Sequence, residues 1–99
     1  MNVLITGASS GIGEALALEC AKRGDRLFIC GRNRERIDAV ALKCRDGGAK
    51  AVYAETLDVA DEDAVRDWIF QCETVAPLER VFSNAGVGTG IEDEENVRR

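Results

Sequence analysis

Two short stretches of this sequence carry residue types suited to binding phosphate. In Thr6-Gly7-Ala8-Ser9-Ser10-Gly11-Ile12-Gly13, three glycines at Gly-x-x-x-Gly-x-Gly spacing are combined with hydroxyl side chains. Glycine leaves the backbone open to close approach, and N–H groups at the start of a helix attract an anion. The spacing departs from the commoner Gly-x-Gly-x-x-Gly fingerprint. The second stretch is Cys30-Gly31-Arg32-Asn33, with Gly31 standing 18 residues beyond Gly13. A guanidinium at Arg32 offers a fork of donors that fits a phosphate, and Asn33 and Arg36 lie near enough to assist. Arg32, Arg34 and Arg36 open a helix, where the dipole disfavours cations unless an anion offsets the cost. Taken singly, each stretch has a plainer reading: a glycine-rich turn without ligand, and a solvated run of charges.

Metal and thiol chemistry are poorly supported. Cys20, Cys30, Cys44 and Cys72 stand 10, 14 and 28 positions apart and there is no histidine, so none of the close pairs of a zinc site exists. Three of the four thiols fall on apolar helical stripes, where a free cysteine behaves as a small buried hydrophobe.

The elements that must position the phosphate-binding stretches alternate regularly. Val3, Leu4 and Ile5 form a continuous apolar run, the pattern of a central parallel strand covered on both faces. Residues 11–23 follow as a helix, with Ile12, Ala15, Leu16 and Cys20 expected on its buried face and Gly24 placed to stop it. Residues 27–30 read as a second strand. Asn33 is placed to cap a second helix whose Ile37, Val40, Ala41 and Cys44 share one face, and Gly47-Gly48 ends it. Residues 51–56 make a third strand. Asp61 is the expected N-cap of a third helix with the stripe Val65, Trp68, Ile69 and Cys72, and Pro77 prevents its continuation. Residues 78–83 supply a fourth strand, and Glu92 to Glu95 open a further helix. Strands separated by crossover helices pair in parallel with right-handed connections. The expected fold is α/β: part of a Rossmann-like doubly wound sheet with strand order 3-2-1-4, helices on both faces, and the glycine loop where the first strand meets its helix.

The glycine loop resembles that of the short-chain dehydrogenase/reductase family in all eight positions. Three further segments resemble the family in the same order: Cys30-Gly31-Arg32-Asn33, Leu57-Asp58-Val59 and Asn84-Ala85-Gly86, although Ser83 replaces the asparagine that often precedes the last. The resemblance implies a nicotinamide dinucleotide cofactor, with Gly7, Ser9, Ser10, Gly11, Ile12 and Gly13 around its pyrophosphate. Gly31 occupies the place of the acid that would bind the ribose hydroxyls of NAD, and Arg32 follows it, which implies NADP(H) rather than NAD(H). Asp58 would meet the adenine amino group and the main chain of Val59 the ring, while Asn84, Ala85 and Gly86 would leave backbone near the nicotinamide-side ribose.

The family's reaction uses a serine, a tyrosine and a lysine four residues after the tyrosine. Here the only tyrosine is Tyr53, in an expected strand and followed at the fourth position by Leu57, and Ser83 belongs to the Asn-Ala-Gly turn, so no catalytic residue is assigned. The 99 residues are accordingly expected to form one NAD(P)-binding domain, truncated at its C-terminal end, of an oxidoreductase that moves hydride between carbonyl and alcohol. The alternatives are a non-catalytic NADP(H)-binding module or a fragment completed by another chain. The expected partner is a small carbonyl or alcohol substrate.

Composition sets the remaining bounds. The chain is 45% apolar and 31% charged with one proline, which is that of an ordered globular domain. Its net charge of −5 offers no basic patch for nucleic acid. The start lacks the basic and long apolar regions of a signal peptide and no segment is long enough to span a bilayer, so a cytoplasmic location is expected. Val81 and Phe82 should lie on an unpaired sheet edge, which favours self-association.

Overall fold

The computed structural model describes residues 1–9 and 11–83. Seven elements follow one another: β1 (Asn2–Thr6), α1 (Gly11–Lys22), β2 (Arg26–Gly31), α2 (Arg34–Asp46), β3 (Ala51–Thr56), α3 (Glu62–Val75) and β4 (Arg80–Ser83). All strand pairs are parallel and the sheet order is β3-β2-β1-β4, as the alternation of elements implied. The registers Ile5↔Ile29, Gly31↔Thr56 and Thr6↔Ser83 bring the carboxyl ends of the four strands to one side of the sheet.

Strand alternation divides the core into two layers. Val3, Ile5, Leu27, Ile29 and Val52 face α1 and α2, where they meet Ala17, Cys20, Ala21, Ile37, Val40, Ala41 and Cys44. Leu4, Phe28 and Cys30 point to the opposite face and meet Trp68, Cys72 and Ala76. Continuous apolar runs in β1 and β2 are therefore explained by cover on both faces. Trp68 retains only 6% of its surface, and burial of such a side chain is among the larger single contributions available to a domain of this size.

The first helix buries Cys20 as expected and packs the half-buried Leu16 against the core, but its buried face is turned away from Ile12 and Ala15. Its buried residues are Gly13, Ala17, Cys20 and Ala21, while Ile12 is 69% exposed, Ala15 is exposed and Leu16 is half-buried. Hydrophobicity favoured Ile12 and Leu16, but the row at 13, 17 and 21 has side chains small enough for the helix to lie close against the strands. The second helix buries Ile37, Val40, Ala41 and Cys44 as expected, whereas of the stripe expected in the third only Trp68 and Cys72 are buried and Val65 and Ile69 are half-buried. Asn33 Oδ1 accepts the Arg36 N–H at 3.0 Å and Asp61 Oδ1 accepts the Ala64 N–H at 3.1 Å, so both are N-caps.

The turn from α1 to β2 is held by a buried carboxylate. Gly24 adopts φ 79°, and Asp25 accepts hydrogen bonds from the Met1 amine at 3.1 Å and from Arg23 at 3.2 Å. Burial opposes its ionised form, yet these two cationic donors hold the carboxyl below its ordinary range. At the other side of the sheet, β4 pairs only with β1 among the described residues, and Val81 is 51% exposed. No helix among the described residues is long and apolar enough to cross a membrane.

Candidate functional site

The carboxyl ends of β1, β2 and β3 converge on the segments singled out in the sequence. Gly7 and Gly11 take φ 65° and 55°, conformations that a side chain disfavours, and so turn the chain from β1 into α1. Ala8 donates its N–H to the Cys30 carbonyl at 2.9 Å, which lays the loop across the end of β2. A side chain built on Gly11 would meet nothing within 4 Å, so the space in front of the helix start is open. Gly13 is buried against the sheet, and Ile12 beside it is exposed. This loop can therefore present N–H groups to an anion at the end of a helix of 12 residues.

Ser9 and Gly31 approach closely at the same corner. A Cβ placed on Gly31 would lie 2.7 Å from Ser9 Oγ and 2.9 Å from Ser9 Cβ. Immediately after Gly31, Arg32 is exposed and has no hydrogen-bond or ion-pair partner among the described residues. Arg34, by contrast, pairs with Asp38 at 3.5 Å. Arg36 lines a groove of about 360 Å³ between α1 and α2, together with Ser9, Gly11, Glu14 and Lys43. Within it Lys43 Nζ lies 3.0 Å from Glu14 Oε2, which leaves Arg36 as the groove's cation without a carboxylate partner. The groove is large enough for a phosphate and is open to solvent rather than enclosed.

The third segment leaves β3 beside the same corner. Leu57 donates its N–H to the Gly31 carbonyl at 3.0 Å. Asp58 is exposed; its Oδ1 accepts the Ala60 N–H at 2.9 Å, and its carbonyl accepts the Asp61 N–H at 2.9 Å. One carboxylate oxygen thus fixes the turn while the other can accept a hydrogen bond from a ligand. Val59 is half-buried against the α3 layer and also borders a separate recess with Val65, Ile69 and Ser83. Ser10, Asn84, Ala85 and Gly86, and the helix expected at Glu92 to Glu95, lie outside the described residues.

The thiols are buried and supply no chemistry to this arrangement, although Cys30 accepts a hydrogen bond from the Gly7 N–H of the glycine loop. Burial pushes Cys30 up to about 11 despite an opposing backbone hydrogen bond from Gly7, and burial likewise raises Cys44 and Cys72 to about 11 and Cys20 above its usual range. A neutral buried thiol is neither a nucleophile nor a metal ligand. Among the described residues no cluster of three or more His, Cys, Asp or Glu is placed to hold a metal ion.

Two site contacts escaped sequence reasoning: the approach of Ser9 to Gly31 and the Glu14–Lys43 ion pair. Both join residues on different elements, and residue type carries no signal for either.

Comparison with known proteins points the same way as the geometry. The family model described as short chain dehydrogenase matches residues 1–98. An 11-beta-hydroxysteroid dehydrogenase of Pinus massoniana is 37% identical over 94 residues, covering 94% of this chain and 26% of the relative. The gluconate 5-dehydrogenase of Gluconobacter oxydans (strain 621H) is 37% identical over 97 residues, covering 97% of this chain and 38% of its own. Among solved structures, an NAD+-bound xylitol dehydrogenase superposes with a TM-score of 0.78 at 30% identity, over 86% of this chain and 33% of that one. The chain therefore spans about a quarter to two fifths of the length of the proteins it matches.

Proposed function

The chain belongs to the short-chain dehydrogenase family, and on that premise we propose that it forms the cofactor-binding part of an NADP(H)-dependent oxidoreductase that moves hydride between a carbonyl and an alcohol. The observation that carries the choice of cofactor is the end of β2, where Gly31 offers no carboxylate and the exposed Arg32 has no partner among the described residues. A carboxylate there would bind the ribose hydroxyls of NAD and repel a 2′-phosphate. A free guanidinium does the reverse, and Arg36 in the adjoining groove adds a second positive charge.

The remaining roles follow the course of the chain. N–H groups of the loop at Ser9, Ser10, Gly11, Ile12 and Gly13 bind the pyrophosphate, Gly7, whose N–H is engaged by Cys30, turns the loop around it, and Asn33 supports the phosphate corner. Asp58 and the Val59 main chain read the adenine, and Asn84, Ala85 and Gly86 approach the nicotinamide-side ribose. The bound nicotinamide supplies or accepts the hydride; this chain's own residues bind and orient it. No residue here is assigned to proton transfer. Tyr53 stacks on Phe28 with ring centroids 5.0 Å apart and has Leu57 four positions on, which leaves it no acid/base role; the second reading is a nucleotide-binding module without catalysis. The substrate is a small carbonyl or alcohol compound, the location cytoplasmic, and the exposed Val81 on β4 supports self-association.

Calorimetric titration with NADPH and NADH tests the assignment. NADPH is expected to bind more tightly, and Arg32→Ala to weaken NADPH by roughly 10- to 100-fold while leaving NADH nearly unchanged, the range for a charge-assisted contact. Equal affinity for the two nucleotides, or a preference for NADH, would overturn the NADP(H) assignment. Turnover of carbonyl compounds by the protein separates the oxidoreductase from the binding module.

A further inference from the structure

We propose that Ser9 is a specificity-determining residue: its side chain fills the space in front of Gly31 and so keeps any side chain, a ribose-binding carboxylate included, out of position 31. The consequence for cofactor choice rests on the NADP(H) reading above, whereas the steric relationship does not.

The backbone does not require glycine here. Gly7, Gly11, Gly24 and Gly48 adopt positive φ, and Gly31 does not, so an L-residue at 31 would meet no dihedral strain. The obstacle is Ser9 alone. Its Oγ would be 2.7 Å and its Cβ 2.9 Å from a Cβ on residue 31, whereas the next neighbour, Ile37 Cδ1, would be at an ordinary 3.5 Å. Rotation of Ser9 about its Cα–Cβ bond removes the first contact and leaves the second, because Cβ is fixed to the main chain.

Neither side can retreat without breaking hydrogen bonds. The loop is tied to β2 by the Ala8 N–H to the Cys30 carbonyl at 2.9 Å, one residue before Gly31. On the other side Gly31 pairs with Thr56 in the ladder, and its carbonyl accepts the Leu57 N–H at 3.0 Å. The end of β2 is thus held between the glycine loop and β3. An aspartate at 31 would have to displace the loop that binds the pyrophosphate. On this basis, changing position 31 alone does not create an NAD(H) site; the glycine loop must be relieved of the Ser9 side chain as well.

A double-mutant cycle read by thermal melting tests the contact without cofactor. Gly31→Ala is expected to lower the melting temperature by about 4 °C or more, the shift for modest overpacking in a domain of this size. In a Ser9→Gly background the same change should cost almost nothing. Ser9→Ala, which retains the 2.9 Å Cβ contact, should relieve the penalty only in part. An equal melting drop for Gly31→Ala in the parent and in Ser9→Gly would overturn the proposal.

The cofactor arm compares Gly31→Asp with Ser9→Gly/Gly31→Asp by titration. Only the double variant is expected to bind NADH more tightly than NADPH. A gain of NADH preference by Gly31→Asp alone would show that Ser9 excludes nothing. If the parent protein binds neither nucleotide, the cofactor reading fails, while the melting cycle still decides the Ser9–Gly31 relationship.

Discussion

Lys43 Nζ sits 3.0 Å from Glu14 Oε2, joining α2 to α1 along the groove that Ser9 and Arg36 also line. The pair cancels the one carboxylate in that groove. Without the lysine, a negative charge would face the place assigned to the adenosine 2′-phosphate.

Lys43→Ala is therefore expected to weaken NADPH binding about two- to fivefold at low salt, within the range of a partly exposed charge interaction. Adding Glu14→Gln to Lys43→Ala should restore most of the loss. Titration of both variants checks this; an unchanged affinity in Lys43→Ala would mean that the Glu14 charge does not reach the ligand.

The thiols link stability to alkaline pH. Cys30, Cys44 and Cys72 are raised by burial to about 11 in the folded chain, against about 8.5 in an unfolded one. Above pH 8.5 the unfolded state loses these protons first, so it binds fewer protons than the native state and stability falls as pH rises toward 11. The melting temperature should thus be steady from pH 7 to 8 and decline between pH 8.5 and 10.5. Replacing Cys72 by alanine should flatten part of that decline, and a thiol reagent at pH 7.5 should label none of the four cysteines until the chain is unfolded.

Helix α3 alone covers the second face of the sheet among the described residues, so its anchoring residues should matter more than their number suggests. Trp68→Ala is expected to cost about 3–5 kcal/mol, a large share of the roughly 5–15 kcal/mol that stabilises an ordinary domain. Loss of the Asp61 cap in Asp61→Ala should cost only about 1 kcal/mol. Circular dichroism melting of both variants would show the ranking, and a smaller effect at Trp68 than at Asp61 would contradict the packing described for this layer.

Val81 on β4 should drive association of the 99-residue chain. Sedimentation velocity is expected to show concentration-dependent species, and Val81→Lys to shift the distribution toward monomer, since a lysine at a strand edge discourages pairing. A monodisperse parent would remove the argument.

Local chemistry made much of this fold legible. Asn33 and Asp61 are caps because a short side-chain acceptor can reach an N–H three residues on, and β3 occupies 51–56 as read. Competition between contacts hid other features. Part of the buried face of α1 escaped because Gly13, Ala17 and Ala21 owe their burial to small size rather than to hydrophobicity. The fourth strand begins at Arg80 rather than at residue 78 because the Leu78 N–H is taken by the Glu73 carboxylate at 2.8 Å. In the candidate site, Gly31 could be read as a missing acid, but its contact with Ser9 could not. That contact depends on how far the glycine loop leans over β2, a tertiary distance with no sequence period.

The hydrogen bonds from Ala8 to Cys30 and from Leu57 to Gly31 also bear on the thermodynamics of recognition. They stitch three successive strand exits together before any nucleotide arrives, so the corner's backbone freedom is surrendered during folding. A ligand meeting such a corner has little main-chain entropy left to quench, and its affinity is set by contacts and water release rather than by loop ordering.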